Sequence, residues 1–303
     1  MDVVSDAISA VRIGRPSSDR IRAGGRWCTR LAPYDGAGFH VVLEGSCWLL
    51  PDGGSPVLLG PGDAVLLPHG TGHVMADRPA DAAAVERAVP FERVAGGAAG
   101  LPQDGSGAVE VLCGKYRLDR SRVHPLMAEL PQVVHLPNRA GTHPELRAAI
   151  DLLGRELDGR RPGACIAVPS LLDLLLVYMI RSWMAEGRTG AWPAVLGDPV
   201  AAAALRALHS DPAAPWTNQL LAAEAGVSRP TLARRFTALV GRPPMAYLTW
   251  WRLNLAATLL RDTGDPLSAV ARRVGYGTPY ALSHAFSREF GITPGRYRAQ
   301  AAA

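Results

Sequence analysis

The sequence has few cysteines and no long uninterrupted apolar segment. Its four cysteines show no Cys-x-x-Cys spacing, and a chain of 303 residues does not need disulfide bonds to stabilise its core. The first 15 residues contain Asp2 and Asp6 and lack the apolar stretch of a secretory signal peptide. The longest apolar run, Cys165–Ile180, is interrupted by Pro169 and Asp173, so it predicts a buried helix rather than a membrane span. These absences favour a reducing cytoplasm and no membrane partner.

Lysine is absent from the C-terminal third of the chain, yet this third is strongly basic. From Val200 onward the sequence contains 12 arginines and five acidic residues, a net charge of +7, whereas the first 199 residues have a net charge of −2. This asymmetry predicts a polyanionic partner for the C-terminal third alone. The total length predicts two domains.

The first 115 residues have the pattern of β structure. Short apolar stretches such as Phe39–Leu43 and Ala64–Leu67 are separated by the turn-forming sequences Asp52-Gly53-Gly54 and Pro61-Gly62-Asp63. Short strands with frequent turns are typical of a sandwich or a barrel. The Gly- and Ala-rich segment Ala95–Gly107 predicts a flexible loop.

A helical pattern follows between residues 143 and 187. Apolar residues recur there at spacings of three and four, which predicts a helix with one apolar stripe. They are Leu146, Ile150, Leu153 and Leu157. A second helix, Pro169–Glu186, is apolar nearly all round, so it must be buried either against the β domain or against a partner subunit. The predicted linker is Gly187–Trp192.

The C-terminal hundred residues contain an imperfect internal repeat. The segment from Leu221 to Gly226 matches the segment from Val270 to Gly275 at an offset of 49 residues. Further matches follow at an offset of 50: Phe236, Gly241, Pro244 and Tyr247 with Phe286, Gly291, Pro294 and Tyr297. One added residue in the second turn accounts for the change of offset.

Each copy of the repeat has the parts of a helix-turn-helix. A short helix, Leu220–Ala225 in the first copy and Leu267–Val274 in the second, is followed by a glycine that suits a left-handed helix end. Behind the turn stands Ser228 or Thr278, whose hydroxyl can accept a hydrogen bond from the first amides of the next helix.

Two recognition helices are therefore predicted, at Arg229–Val240 and Pro279–Phe290. Between them Met245–Arg261 predicts a spacer helix of roughly 25 Å. Successive major-groove segments on one face of DNA lie roughly 34 Å apart, so the two helices could enter adjacent segments. The outward-facing side chains are Arg229, Thr231, Arg234, Tyr280, His284 and Arg288.

These segments, above all Gly275-Tyr276 and the run FSREFGITPGRY from Phe286, resemble the AraC/XylS family of transcription regulators. The resemblance covers about residues 198 to 298. It implies that bases are read by Pro230, Ala233 and Arg234 in the first recognition helix, and by Tyr280, Ala281 and His284 in the second. The last of these positions is often Arg in the family, and Arg288 is then expected to contact phosphate.

The N-terminal half resembles the cupin-like sensor domains that many members of this family carry. Residues Gly62 to His73 match the second cupin motif, which consists of glycine, five residues, Pro-x-Gly, two residues and histidine. The first cupin motif is degraded, because no histidine stands near Ala32–Tyr34, where that motif usually has two. His40 lies two residues after Gly38, the usual glutamate position, and therefore on the same strand face.

Two kinds of site follow from this resemblance. His40, His69 and His73 are candidate ligands of one zinc-like divalent ion; alternatively these histidines close a turn and pack the barrel mouth. Three cysteines are candidate thiolate ligands or a redox switch if they face the same cavity, and otherwise belong to the core. They are Cys28, Cys47 and Cys113.

The sequence thus predicts two domains. Residues 1–190 form an all-β cupin-like barrel (about 1–115) followed by dimerisation or transmission helices (about 143–187), and residues 198–303 form an all-α double helix-turn-helix domain. The predicted protein is a dimeric regulator, more often an activator that works with RNA polymerase, which binds promoter DNA and senses a small molecule, a metal or a redox signal. No catalytic residues are predicted. Two alternatives remain open: a metal-dependent cupin enzyme fused to a DNA-binding domain, and a first half that is only a dimerisation module.

Overall fold

The computed structural model describes residues 3–95, 108–118, 124–158, 161–186 and 191–301. Contacts divide them into two units. The cupin unit comprises residues 11–95, 108–118, 130–158 and 161–186, and the helical unit comprises residues 3–10, 124–129 and 191–301. Residues 96–107 of the predicted loop and 187–190 of the predicted linker lie outside the described residues.

The cupin unit is built on two five-stranded sheets, which confirms the predicted all-β fold. The strands are β1 Arg12–Ala23, β2 Cys28–Leu31, β3 Gly36–Glu44, β4 Cys47–Pro51, β5 Val57–Leu59, β6 Ala64–Leu67, β7 His73–Ala76, β8 Val89–Pro90, β9 Val109–Leu118 and β10 Val134–Leu136. In the first sheet the strand order is β1-β9-β3-β6-β10, and in the second it is β5-β4-β7-β2-β8. Neighbouring strands are antiparallel except β2 and β8.

The inner faces of the two sheets share one apolar core. Both sheets contribute fully buried side chains, among them Val42 and Val111 from the first and Leu49 and Met75 from the second. Two of the cysteines, Cys47 and Cys113, belong to this core.

Four helices accompany the sheets: α2 Ala82–Glu86, α3 Phe91–Ala95, α5 Pro144–Asp158 and α6 Ala164–Ala185. Helix α6 packs against α5, β1 and β10 with one face, on which Leu175 and Met179 are fully buried. Its other side is open, since Ile166 is 74% exposed and Leu174 is 38% exposed. One face of the predicted buried helix thus packs within the cupin unit, and burial of its other side against a partner subunit stays a prediction. In length and apolar composition α6 also meets the criteria for a membrane-spanning helix, which many core helices of soluble proteins meet too.

The helical unit contains seven helices after residue 198, among them both predicted helix pairs and the spacer between them. They are α8 Pro199–Ser210, α9 Asn218–Glu224, α10 Arg229–Val240, α11 Pro244–Asp262, α12 Leu267–Arg273, α13 Pro279–Phe290 and α14 Pro294–Ala301. Helices α10 and α13 have the bounds predicted for the recognition helices. The spacer, α11, is one residue longer at each end than predicted.

The duplicated caps explain why these helices begin and end where they do. Ser228 accepts a hydrogen bond from the Thr231 amide, and Thr278 accepts one from the Ala281 amide, so both recognition helices have a hydroxyl N-cap. Each ends at a glycine in the left-handed conformation, Gly241 or Gly291.

Helix α11 supplies apolar side chains to two separate cores. Tyr247 and Trp251 pack into the core of the first helix-turn-helix, and Ala256 and Leu260 pack into the core of the second. Because both motifs are built on one continuous helix, their mutual orientation is fixed by the core packing on that helix.

Short segments from the first half of the sequence also belong to the helical unit. These are residues 3–10 of α1 (Val3–Val11) and the segment His124–Glu129 with α4 (Pro125–Ala128). Helix α7 (Ala191–Gly197), which comes later in the chain, belongs to the same unit. Asp6 Oδ2 lies 2.7 Å from His209 Nδ1, whose Nε2 lies 2.8 Å from the Tyr247 hydroxyl. The structure therefore differs from the predicted domain boundary, because buried polar contacts between residues far apart in sequence leave no periodic pattern.

Candidate functional site

The first candidate site is the outward face of helix α10. Arg229, Pro230, Ala233 and Arg234 are all exposed, while Leu232 and Phe236 on the opposite face are fully buried. Thr231 is half-buried, and its hydroxyl lies 2.9 Å from that of Ser228. Four of the five residues predicted to contact DNA from this helix are therefore accessible to a ligand.

Helix α13 repeats this arrangement. Tyr280, Ala281, His284 and Arg288 are exposed, and Leu282 and Phe286 are fully buried. Tyr280 is 81% exposed, which is unusual for a large aromatic side chain that has no ligand. An exposed aromatic ring at the N-terminal end of a recognition helix can make apolar contacts with base edges.

Among the described residues, the arginines on these two faces are not paired with carboxylates, whereas Arg235 and Arg273 are. Arg235, next to Arg234, forms a salt bridge of 2.7 Å with Asp198. Arg273 forms one of 2.8 Å with Asp265. The outward faces of α10 and α13 therefore carry unpaired positive charge, at Arg229 and Arg234 and at Arg288, which can meet phosphates or guanine edges.

The second candidate site is a cavity of about 70 Å³ inside the cupin unit. Strands β3 and β9 place His40 directly opposite Cys113 in the first sheet, and β7 contributes His73 from the second sheet. The side chains of these three residues meet, with 3.0 Å between His40 Nδ1 and Cys113 Sγ and 2.7 Å between His40 Nε2 and His73 Nε2.

The hydrogen bonds determine where the protons of this cluster lie. His73 Nδ1 lies 2.9 Å from the carbonyl oxygen of Thr71, which only accepts, so Nδ1 carries the proton and the neutral ring accepts at Nε2. His40 must then donate from Nε2 and accept at Nδ1. The Cys113 thiol is consequently the donor to His40. We call this chain of donors, Cys113 to His40 to His73, the thiol relay.

Burial holds all members of the thiol relay neutral. Desolvation lowers the pKa of His40 well below its usual value and lowers that of His73 to about 4. Burial also raises the pKa of the Cys113 thiol well above its usual value.

Four further polar residues line the cavity and were not predicted: Tyr34, Asp19, Glu92 and Lys115. The Tyr34 hydroxyl is buried and has no hydrogen-bond partner among the described residues. It lies over Gly38, where a Cβ atom would approach it to 2.9 Å. Tyr34 stands where the first cupin motif usually has histidines, and that substitution was the signal in the sequence that could have revealed it.

The predicted three-histidine set is not assembled. His69 Nε2 lies 2.7 Å from the carbonyl oxygen of Leu130, and His69 does not line the cavity that holds His40 and His73. The turn Pro68-x-Gly70 directs it elsewhere. In the part of the chain that the structure describes, no group of three or more His, Cys, Asp and Glu side chains could hold a metal ion.

The three predicted cysteines are also separated. Only Cys113 lines this cavity. Cys28 lines a different pocket, and its Sγ lies 3.6 Å from the Ala84 carbonyl oxygen. Cys47 is fully buried in the core, and burial raises its pKa to about 12. All four cysteines are free thiols.

Comparison with protein families gives a match to each unit. A cupin family matches residues 2–185, and a helix-turn-helix domain family matches residues 221–300.

Curated relatives match over nearly the full length. The chain is 36% identical over 301 residues to a putative AraC-like transcription regulator from Streptomyces lividans, with 98% of both chains covered. It is 30% identical over 304 residues to the HTH-type transcriptional regulator MtrA from Neisseria gonorrhoeae, again with 98% of both chains covered.

Among solved structures, the DNA-binding domain of AdpA in complex with a target DNA is similar to 34% of this chain, with 92% of that chain covered, 36% identity and a TM-score of 0.32. ToxT from Vibrio cholerae, with a bound unsaturated fatty acid, is similar to 95% of this chain, with 96% of that chain covered, 10% identity and a TM-score of 0.36.

Proposed function

Because the chain belongs to the AraC/XylS family of DNA-binding transcription regulators with an N-terminal cupin domain, we propose that it reads promoter DNA with helices α10 and α13. The residues assigned to DNA contact are Arg229, Pro230, Thr231, Ala233, Arg234, Tyr280, Ala281, His284 and Arg288. The single observation that carries this assignment is the pair of hydroxyl-capped helices whose outward faces expose Arg234 and Arg288, neither of which has a carboxylate partner among the described residues.

The roles within this set differ by side chain. Arg234, exposed on the second turn of α10, suits bidentate hydrogen bonding to guanine. Tyr280 suits contact with a thymine methyl group, while Arg288, two turns further along α13, suits phosphate. Contacts of Arg234 and Tyr280 with bases would give sequence discrimination, and contact of Arg288 with phosphate would give salt-dependent affinity.

Selection of bound fragments from fragmented genomic DNA would test the proposal. The full-length protein should enrich fragments that share two sequence elements about one helical turn apart, with affinity that falls steeply as salt concentration rises. Enrichment of fragments without any shared sequence would contradict the proposed base readout.

We also propose that the cupin unit is a sensor rather than an enzyme. The relatives that match it over its whole length carry names of transcription regulators. Its cavity, with an unpartnered Tyr34 hydroxyl, supports binding of a small effector.

A homodimer is proposed from the open side of helix α6. Ile166 and Leu174 are exposed there, and Leu152 on α5 is 44% exposed. Apolar side chains exposed on two adjacent helices are typical of an interface with another chain. Activation through contact with RNA polymerase and a cytoplasmic location are the remaining parts of the proposal, and both follow from the family.

A further inference from the structure

We propose that Cys113 is a covalent modification site for small α,β-unsaturated aldehydes and ketones, with His40 transferring the thiol proton and the Tyr34 hydroxyl binding the carbonyl oxygen. The inference rests on the proposed sensing role of the cupin cavity and names the class of molecule that this cavity would take.

Cys113 and His40 are arranged as a nucleophile and its base. An activated nucleophile is recognised by a base within hydrogen-bond reach and a third group that orients the base. Here His40 Nδ1 lies 3.0 Å from Cys113 Sγ, and His73 fixes the opposite side of the His40 ring at 2.7 Å. A thiol serving only as core packing does not require two buried imidazoles in series.

The Tyr34 hydroxyl lies on the same side of the cavity as the nucleophile. Residues 38 and 40 point to the same side of β3. On β9, Lys115 lies directly opposite Gly38 and Cys113 lies directly opposite His40. The Tyr34 hydroxyl lies over Gly38, on the face that also carries His40 and Cys113. A donor without a partner beside a nucleophile is placed where negative charge would develop on a carbonyl oxygen.

The size and lining of the cavity limit which molecules can enter it. Its volume of about 70 Å³ is less than half of the ~150 Å³ that accommodates benzene in a protein core. In proportion to the six heavy atoms of benzene, this volume holds a molecule of about three heavy atoms, so the four of the smallest enal are near the upper limit. Leu31 and Phe91 give the lining apolar surface, and Asp19, Glu92 and Lys115 line it with charges of both signs, so a small molecule with an apolar body and a polar carbonyl suits it.

The reaction balances without a further reactant. Cys113 Sγ forms a bond to the β-carbon while its proton passes to His40 Nδ1, and the electrons of the carbon–carbon double bond move into an enolate. The Tyr34 hydroxyl donates a hydrogen bond to the enolate oxygen. His40 then returns the proton to the α-carbon, so the carbonyl re-forms and the thiol has added across the double bond.

The neutral state of the thiol gives selectivity. Because burial raises the pKa of Cys113 well above its usual value, almost none of it is thiolate at neutral pH. Since burial also lowers the pKa of His40, proton transfer to His40 has to accompany formation of the carbon–sulfur bond, so only a reagent that enters the cavity can react. Cys165, which is exposed, is the internal reference thiol in the same chain.

The test uses full-length protein and acrolein as the probe, with peptide mass spectrometry to follow each cysteine. We expect acrolein to modify Cys113, whereas a bulky aryl maleimide modifies Cys165 and leaves Cys113 unmodified. Acrolein adducts at Cys165 with none at Cys113 would overturn the proposal. So would a metal ion that copurifies with the protein and is lost in the His73→Ala variant, because it would occupy the imidazole nitrogens.

The Tyr34→Phe variant separates chemistry from folding. It should slow acrolein addition at Cys113 on the order of a hundredfold, the cost of removing one donor to a developing oxyanion. Allyl bromide, which has similar size and forms no enolate, should alkylate Cys113 at an unchanged rate. Equal rates of acrolein addition in Tyr34→Phe and wild type would overturn the role of Tyr34, and faster oxidation of Cys113 by hydrogen peroxide than addition of acrolein would identify an oxidant site instead.

DNA binding distinguishes this inference from the sensing role on which it rests. Acrolein should change the affinity of wild-type protein for its selected DNA and leave the Cys113→Ser variant unaffected. If Cys113 is modified and the affinity does not change, the chemistry stands and the sensing role fails. If Cys113 is not modified, the inference fails and the DNA-binding assignment stands.

Discussion

The guanidinium group of Arg252 packs against Gly275, which lies two residues after the end of α12, the first helix of the second helix-turn-helix. Arg252 Nε donates to the carbonyl oxygen of Pro212 at 2.7 Å, and Nη2 donates to that of Ala214 at 2.8 Å. A Cβ atom at Gly275 would lie 2.8 Å from Arg252 Nη2 and 2.8 Å from the Cα atom of Ala213. The turn of the second motif is thus held against the loop that precedes the first.

This contact makes Gly275→Ala a test of the close approach. Its counterpart in the repeat, Gly226, also has a positive φ, +66° against +79°, but nothing lies within 4 Å of a Cβ built there. Gly226→Ala should cost about 1–2 kcal/mol of unfolding free energy for the left-handed conformation. Gly275→Ala should cost about 1–3 kcal/mol more, because the backbone of Ala213 must move. Urea unfolding of both variants measures the difference, and equal costs would contradict the clamp.

Neighbouring positions on helix α13 should separate DNA binding from stability. Tyr280→Ala should weaken specific DNA binding by about 1–3 kcal/mol, with an unfolding free energy within about 0.5 kcal/mol of wild type, because its side chain is exposed. Leu282→Ala should lower the unfolding free energy by about 2–5 kcal/mol, because Leu282 is fully buried. Titration calorimetry with selected DNA, together with urea unfolding, gives both quantities. A stability loss in Tyr280→Ala as large as that in Leu282→Ala would place Tyr280 in the core instead.

The buried histidines predict that the cupin unit loses stability in mild acid. The folded state holds His40 and His73 neutral, with the pKa of His73 at about 4, whereas an unfolded histidine titrates at about 6.5. Below about pH 6.5 the unfolded state therefore binds more protons, and His73 lowers the unfolding free energy by about 1.4 kcal/mol per pH unit down to about pH 4, while His40 contributes in the same direction. Above this range neither group contributes a pH dependence.

Urea unfolding between pH 7.5 and 5 measures that slope. The variant His73→Gln should have a slope smaller by about one proton, and the control His284→Gln, an exposed position, should match wild type. A slope unchanged in His73→Gln would show that His73 is charged or solvated in the folded state.

The open side of helix α6 predicts a dimer that a single charge disrupts. Ile166→Glu should convert the full-length protein to a monomer at micromolar concentration, because the carboxylate would be buried without a partner in the interface. Ser55→Glu, which adds the same charge at an exposed position after β4, should remain dimeric. Light scattering gives the mass of each. Wild-type protein that is monomeric at this concentration would refute the proposed dimer.

The helical unit was predicted closely because its determinants are local. Hydroxyl caps, Pro at the start of a helix and Gly at its end lie within a few residues of each boundary, so α10 and α13 could be placed from the sequence. The β fold could be inferred from turns for the same reason.

The cavity could not be predicted in full, because it depends on contacts between distant residues. The register of β3 against β9 brings Cys113 to His40, 73 positions away, and no periodicity specifies such a pairing. His69 lies in the same cupin motif as His73, yet the Pro68-x-Gly70 turn sends its side chain to the carbonyl oxygen of Leu130. The docking of Asp6 onto His209, 203 positions away, was missed for the same reason.

Base readout by helix α10 is the central claim, and the adjacent residues Arg234 and Arg235 test it most directly. Arg234 is exposed without a carboxylate partner among the described residues, and Arg235 is paired with Asp198 at 2.7 Å. The measurement is the ratio of affinities for selected promoter DNA and unrelated DNA, at fixed salt, for wild type, Arg234→Ala and Arg235→Ala. We expect Arg234→Ala to lose about 1–3 kcal/mol of discrimination while keeping weak, salt-dependent binding, and Arg235→Ala to retain the wild-type ratio. An unchanged ratio in Arg234→Ala would contradict base readout by this helix.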